Sequence, residues 1–182
     1  MKKAFATILI SVATMGFATV STAATGEAKA TYKAAEQSAA ADYKAAREKC
    51  NSLSDNPKNV CVKEAQSART RTKAEAEAQY KNTPRADASA RTAIANSEYE
   101  VAKARCGSKT GNDKDVCIKE AKAAKVAAKA DAKADKKVVA ALIDASEDKH
   151  DANFKVAIEK CNASAGATKD ACVTSAKARF GK

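Results

Sequence analysis

The sequence predicts an all-α protein of three repeated antiparallel helical hairpins, each stapled by a disulfide bond and either extended or loosely bundled. A unit with two cysteines occurs three times, 46 of the 182 residues are alanine, and residues 25–182 contain 17 Leu, Ile, Val or Phe. Alanine favours helices but contributes little buried area, and a charged chain with so few large apolar side chains lacks material for a conventional core. The composition therefore argues against most enzyme folds and makes cross-links the expected source of stability.

The first 24 residues have the organisation of a secretory signal peptide. Lys2 and Lys3 precede an apolar run over residues 4–20, and cleavage is expected after Ala23 or Ala24. Polar residues within the run make it weak as a permanent span, so no membrane anchor is expected after cleavage. The remaining 31 basic and 22 acidic residues give a basic protein. We expect it in an oxidising compartment, most simply the periplasm.

The rest of the chain repeats one unit three times. Residues 43–50, 99–106 and 154–161 align without gaps, and each segment ends in a Cys that is followed, ten residues later, by a second Cys. Helix formers flank each pair, whereas helix breakers occupy the ten intervening residues. Each unit is therefore predicted to be a helix, a loop and a helix. The repeats are assigned to residues 25–82, 83–144 and 145–182.

Capping residues predict where the second helix of each unit begins. Asn56 is the expected N-cap in the first unit, with Pro57 at the first helical position. Asn112 followed by Asp113 repeats the arrangement in the second unit. In the third unit Thr168 is the predicted cap.

The two junctions between units differ. Thr83 before Pro84 predicts an N-cap that breaks the helix between the first and second units. No proline occurs between the second and third units, and two possibilities stay open there. Ser146 caps a new helix, or one helix runs from Asn112 to Cys161.

The repeat selects one cysteine pairing per unit out of the 15 pairings that six cysteines allow. The predicted disulfides are Cys50 with Cys61, Cys106 with Cys117, and Cys161 with Cys172. Cα atoms of closely packed helices approach to about 3.5–5.5 Å, which overlaps the separation that a disulfide requires. Closing a 12-residue loop contributes on the order of 3 kcal/mol.

The cross-link also fixes the register of each hairpin, and apolar stripes at helical spacing lead to each cysteine. Tyr43 is expected opposite Ala68 and Tyr99 opposite Ala124, a large side chain against a small one. The third unit departs from this pattern of a large side chain opposite a small one, because Phe154 is expected opposite Arg179. The alanine seams could also be buried against a second chain, so self-association through them is an alternative use.

Six lysines form a stripe that is predicted to face away from the seam of their helix. At 100° per residue they lie roughly 120–130° round from it. These lysines are Lys119, Lys122, Lys125, Lys129, Lys133 and Lys136. Such a stripe either keeps an alanine-rich helix in solution or neutralises the charge of an anionic polymer. Nucleic acid is the less favoured polymer, because the few aromatic rings lie in the seams, where they could not stack on bases.

No catalytic, metal or cofactor site is predicted. Neither Ser nor Cys has a neighbouring His, no glycine-rich phosphate loop exists, and His150 is expected to be a solvated surface residue. A redox-active pair would normally be Cys-x-x-Cys, which is absent, and a zinc site would need two reduced units to meet. For these reasons thiol-based metal or redox handling ranks only as a second alternative.

The paired-cysteine unit resembles a family. Residues 43–50 and 60–65, with the loop rich in Asn and Asp between them, are similar to small exported Ala/Lys-rich proteins of Gram-negative bacteria that are labelled TolA-like cell-envelope biogenesis proteins. The resemblance covers essentially all of residues 25–182. It implies a non-enzymatic periplasmic protein with a structural or interaction role at the envelope, whose partners are envelope proteins or anionic envelope polymers. The alternative from the residues alone is a cationic binder of lipopolysaccharide or nucleic acid.

Overall fold

The computed structural model describes the backbone of residues 21–182 and the side chains of residues 26–182. The predicted signal peptide lies outside this part of the chain, apart from the backbone of its last four residues. The described residues contain no strand, which confirms the all-α prediction. The helices are α1 (Ser21–Lys49), α2 (Asp55–Lys81), α3 (Pro84–Arg105), α4 (Gly111–Cys161) and α5 (Gly166–Phe180). Single 3-10 turns at Cys50–Ser52 and Cys106–Ser108 extend α1 and α3 into the loops.

Each helix packs mainly against its neighbours along the chain. Helix α2 lies between α1 and α3, α3 lies between α2 and α4, and α5 packs on α4. The buried residues between them are mainly small, although Ala68 and Ala124 of the predicted seams are exposed. The buried alanines are Ala39, Ala65, Ala90, Ala95, Ala104, Ala132 and Ala176. Apart from the cysteines, Val101 is the one larger apolar residue in this set of buried residues.

Helix α4 is continuous, which resolves the question of the second junction. It has 51 residues and extends about 76 Å at 1.5 Å per residue. Its first half packs against α3, where Arg91 contacts Asp135, and its end packs against α5, where Lys182 contacts Asp151. Ser146 therefore lies inside the helix, and the predicted boundary between residues 144 and 145 falls within one element.

The other junction is the sharp turn that the sequence predicts. Asn82 adopts a left-handed conformation at the end of α2 and donates its amide to Ala78 O at 2.8 Å. Thr83 is the N-cap of α3, its Oγ1 accepts the Ala86 amide at 3.1 Å, and Pro84 follows at the first helical position. This turn reverses the chain, so that α3 folds back on α2.

The predicted starts of α2, α4 and α5 were wrong by two or three residues. The N-caps are Ser54, Thr110 and Ala165, rather than Asn56, Asn112 and Thr168. The next residue is left-handed in every case, with φ of 50° at Asp55, 54° at Gly111 and 56° at Gly166. Glycine tolerates this conformation best, and Asp is one of the residues that also adopts it. Pro57 consequently lies in the first turn of α2, where its missing amide hydrogen costs nothing.

Candidate functional site

The three predicted disulfides are present, and they are the chemically distinctive feature of the described chain. The Cα atoms are 5.7 Å apart for Cys50 and Cys61, 5.8 Å for Cys106 and Cys117, and 5.6 Å for Cys161 and Cys172. These separations are typical of disulfides and slightly exceed the range expected from packed helices. Each bridge joins the end of one helix to the second turn of the next, antiparallel helix, so the last six of the ten residues between the cysteines are helical, and the predicted ten-residue loop is shorter than expected. The fold is therefore a row of stapled hairpins, as predicted.

The bridges are shielded from water on one side. Cys50 and Cys106 are fully buried and Cys161 is 1% exposed, whereas the second cysteine of each pair is half-buried. The first two loops also lie side by side, because a Cβ placed on Gly107 would be 2.5 Å from Oδ1 of Asn56. The glycine at that position allows the two stapled ends to approach closely.

The register of the first two hairpins is close to that expected from the cross-links. The residue after each predicted partner covers the tyrosine: the guanidinium of Arg69 lies 5.2 Å from the ring centroid of Tyr43, and the ammonium of Lys125 lies 3.7 Å from that of Tyr99. Such cation–π contacts contribute about 0.5–1 kcal/mol at exposed sites. The hydroxyl of Tyr43 accepts a hydrogen bond from Arg47, and this bond is the main cause of the lowered pKa of Tyr43.

Aromatic pairs occupy the same seams nearer the open ends of the hairpins. The rings of Tyr32 and Tyr80 stack at a centroid distance of 5.2 Å. In the third hairpin Phe180 contacts both Phe154, at 5.7 Å, and His150, at 5.1 Å. His150 is exposed, as expected, and its ring makes an edge-to-face contact with that of Phe180. These rings face other side chains, so they are poorly placed to stack on nucleic-acid bases.

The lysine stripe is mostly, but not entirely, exposed. Five of its six members are exposed, whereas Lys125 is drawn onto the Tyr99 ring and is half-buried. None of the six lies within 4.0 Å of a carboxylate in residues 26–182. The nearby Asp135 is engaged by Arg91 from α3, with the two charged atoms 2.5 Å apart. The five exposed lysines consequently leave a basic face on α4.

A cluster of exposed aliphatic side chains on α4 was not singled out from the sequence. Val138, Val139, Leu142 and Ile143 are 57%, 43%, 65% and 43% exposed. They lie near the level at which α3 begins, and they precede the part of α4 that contacts Phe180 at the end of α5. The sequence does indicate this cluster, because residues 138–143 contain four of the 17 Leu, Ile, Val or Phe residues after position 24.

Val139 and Ile143 also border a large open groove. It encloses about 920 Å³ between α2 and α4, with α3 as its floor, and Ala90 and Ile94 contribute to that floor. The groove is open to solvent along its length, and Arg71 and Arg91 on its walls are engaged by carboxylates of neighbouring helices. Its side chains pair with one another and present no nucleophile beside a base.

Metal chemistry finds little support among the described side chains. No group of three or more His, Cys, Asp or Glu residues is placed to hold a metal ion there. All six cysteines are paired as disulfides. The thiol-based alternative would therefore require prior reduction, because a disulfide offers no thiolate to a metal.

None of the helices in the described part of the chain is both long and apolar enough to cross a membrane.

In the comparisons with known proteins, no family model, no curated protein and no solved structure matches this chain.

Proposed function

We propose that this protein is a non-enzymatic structural or interaction module of the periplasm that associates with the cell envelope. The observation that carries the proposal is the set of three disulfides, each closing one hairpin of an open row of helices. Disulfides persist in oxidising, exported compartments and are typical of proteins that cannot build a sufficient apolar core. The predicted signal peptide and the resemblance to TolA-like envelope proteins support the same location.

The shape of the chain favours contact over catalysis. An open row of helices exposes much of every helix, and α4 alone extends about 76 Å. Enzymes need a concave site that excludes water around convergent polar groups. The groove between α2 and α4 is open, and Arg71 and Arg91 that line it are paired with carboxylates of the same chain. A long surface held by cross-links is suited to binding elongated or repetitive partners.

Cell fractionation combined with thiol alkylation tests the location. We expect the protein in the periplasmic fraction, with its mature chain beginning at Ala24 or Thr25 and no cysteine available to alkylation before reduction. A cytoplasmic protein with free thiols would contradict the proposal. Replacing all six cysteines by Ala should then separate structure from export, because the variant is expected to reach the periplasm but to lose helix and envelope contacts.

Envelope association is tested by photo-crosslinking in intact cells. A crosslinking residue at exposed Ala127 on α4 should capture envelope components, and the six-cysteine variant should capture markedly less. Position 45 on α1 serves as a second exposed reporter. Equal capture by the oxidised protein and the six-cysteine variant would show that the stapled fold is irrelevant to the interaction.

Binding of anionic polymers is the second candidate function, and the basic face of α4 favours it. Lysines that lie away from carboxylates can neutralise phosphates, with an affinity that falls as salt rises. Lipopolysaccharide phosphates are the favoured class, because recognition of single-stranded nucleic acid usually adds aromatic stacking.

A quadruple substitution tests the polyanion candidate. Changing Lys122, Lys129, Lys133 and Lys136 to Gln should lower affinity for lipopolysaccharide and flatten its salt dependence. The matched control changes four exposed lysines of the first hairpin, which removes the same charge elsewhere. These controls are Lys33, Lys44, Lys49 and Lys58. If both variants lose affinity equally, binding reflects net charge and the stripe has no special role.

A further inference from the structure

The exposed aliphatic cluster of α4 lies between the segment of that helix that packs on α3 and the segment that packs on α5. Asp135 marks the level of the α3 contact and Asp151 the level of the α5 contact. Val138, Val139, Leu142 and Ile143 lie between them and remain 43–65% exposed. In a chain that otherwise buries mainly alanine, this is the largest concentration of aliphatic side chains in contact with water. Exposed apolar clusters rimmed by charge are typical of interaction sites.

The charges around this cluster are opposite on its two sides. Residues 133–137 contain three lysines and one aspartate, a net charge of +2, whereas residues 144–148 contain three acidic residues and no basic one, a net charge of −3. Neither Lys137 nor Asp144 forms an ion pair with another described residue. A surface that is basic at one end and acidic at the other is complementary to a copy of itself turned end to end.

We propose that the α4 cluster is a self-association surface on which a second copy of this chain docks its own α4 in antiparallel orientation. A two-fold axis between Ala140 and Ala141 would place Lys137 level with Asp144 of the second copy. Val138 would then lie beside Leu142 of the second copy, whereas Val139 and Ile143 lie on the side of α4 that borders the groove of their own chain. A parallel arrangement would instead oppose like charges, Lys137 to Lys137 and Asp144 to Asp144.

The helical positions suit a close approach of two helices. At 100° per residue Ala134, Val138, Leu142 and Ala145 fall within an arc of roughly 80°. Lys137 and Asp144 lie about 20° apart and roughly 60–80° beyond one edge of that arc, so they flank the apolar face, and an antiparallel two-fold brings them to the same side of the pair. Two small and two larger aliphatic residues on the arc allow the backbones to approach while filling the space between them.

This surface differs from the alanine seams, which pack between helices of the same chain. It is also independent of the proposed envelope role, since association depends only on α4. The occupant is a second copy because the charge pattern is self-complementary, a property that an unrelated partner would not require. Binding of a different protein, or no binding, are the competing outcomes.

Sedimentation equilibrium of the exported, oxidised protein tests the proposal. The wild type should show a reversible monomer–dimer equilibrium. Leu142→Asp should weaken dimerisation by at least about 100-fold, because it places a charge in each half of an apolar contact. Leu142 is 65% exposed, so its substitution should leave the helical circular dichroism spectrum unchanged. The matched control is Val116→Asp, whose counterpart on the second copy would lie beyond the end of α4.

Charge exchange tests the antiparallel alignment separately. Lys137→Glu alone should weaken dimerisation by about tenfold, because two attractive pairs become repulsive. The double variant Lys137→Glu with Asp144→Lys should return to within about threefold of the wild type. A monomeric wild type at high protein concentration, a dimer insensitive to Leu142→Asp, or a double variant weaker than the single would each overturn the proposal.

Discussion

The first two hairpins and the third have the same cross-link but different surroundings. Helices α1 to α3 and the first half of α4 form one packed row, in which α2 and α3 each have two neighbours. Helix α5 packs on α4 alone. The difference arises at the junctions, since residues 82–83 turn the chain back whereas residues 145–146 continue a helix. Helices of the same repeated unit therefore have two neighbouring helices in the packed row but one in the third hairpin. This difference depends on whether the chain turns back between units.

Polar contacts reinforce the packed row and are sparse at the third hairpin. Arg105 of α3 reaches Glu64 of α2 at 2.7 Å, Arg71 of α2 pairs with Glu98 of α3, and the hydroxyls of Ser67 and Ser97 are 3.0 Å apart. Exposed ion pairs contribute little individually, typically below about 1 kcal/mol. The third hairpin has one such contact, between Asp151 of α4 and Lys182, which follows α5. The disulfide at Cys161 is therefore the main constraint on α5.

Breaking α4 near residue 147, so that the second junction resembles the first, should have the largest effect on the shape of the molecule. Glu147→Pro creates a Ser-Pro pair inside α4 that imitates Thr83-Pro84. It removes a helical hydrogen bond and places the proline ring against the carbonyl of Ile143, at a cost of about 3 kcal/mol or more. We expect α4 to break and the maximum dimension in small-angle scattering to change. Glu147→Ala is the matched control, and an unchanged scattering profile for the proline variant would contradict the continuous helix.

Removing one disulfide at a time should separate the two regions. In Cys161→Ala with Cys172→Ala, the 15-residue α5 loses about 3 kcal/mol of loop closure and has one helix left to hold it. We expect residues 166–180 to lose protection in hydrogen exchange. In the matched variant Cys106→Ala with Cys117→Ala, α3 remains packed on α2 and should keep most of its protection. Equal losses in both variants would mean that neighbouring helices contribute little.

Loss of the cap at the sharp turn should have a smaller effect. Thr83→Ala removes the hydrogen bond to the Ala86 amide and should lower the free energy of unfolding by about 1 kcal/mol in urea denaturation. Thr110 is an N-cap whose side chain makes no such bond. Thr110→Ala should therefore change stability by less than about 0.5 kcal/mol. A reversed order would indicate that the turn is held by Pro84 and the backbone alone.

The smallest expected effect is an acid dependence at the end of α5. The hydrogen bond and charge of Lys182 lower the pKa of Asp151 below its ordinary value of 3.8. A lowered pKa in the folded state adds stability above the ordinary value, and that stability disappears as pH falls through the folded value. Amide protection near Phe180 should therefore decrease only below about pH 4.

A carboxyl titration followed by NMR checks this directly. Lys182→Ala should raise the pKa of Asp151 towards its ordinary value, and added salt should have the same effect on the wild type. Lys177→Ala, in the last turn of α5, should leave the pKa of Asp151 nearly unchanged. If Lys177→Ala shifts the Asp151 titration as far as Lys182→Ala does, the specific contact is not its cause.

The cross-linked architecture could be predicted from the sequence because it depends on local spacing. A fixed interval of 11 residues between cysteines, helix formers on both sides and the repeat together determine the pairing and the hairpin register. The Thr83 cap was predicted correctly for the same reason, since Thr-Pro is a strong local signal.

Features that depend on distant residues were not predictable in the same way. Asn56 was expected to start α2, but the left-handed Asp55 starts it earlier; the glycines five residues after Cys106 and Cys161 were the overlooked signal. Lys125 was expected to point outward, and the Tyr99 ring on α3 draws it in. The exposure of Leu142 follows from the lengths of α3 and α5, which helical periodicity does not reveal.

The position of the bridges also limits how far the molecule could be stretched. If the chain were pulled from its two ends, each disulfide would carry the force directly from one cysteine to the other, so the residues between them would not extend. The helices outside the bridges could still separate. Three such shortcuts would leave an oxidised chain roughly 100 Å shorter at full extension than its reduced form. A tether of this kind would have its reach set by redox state.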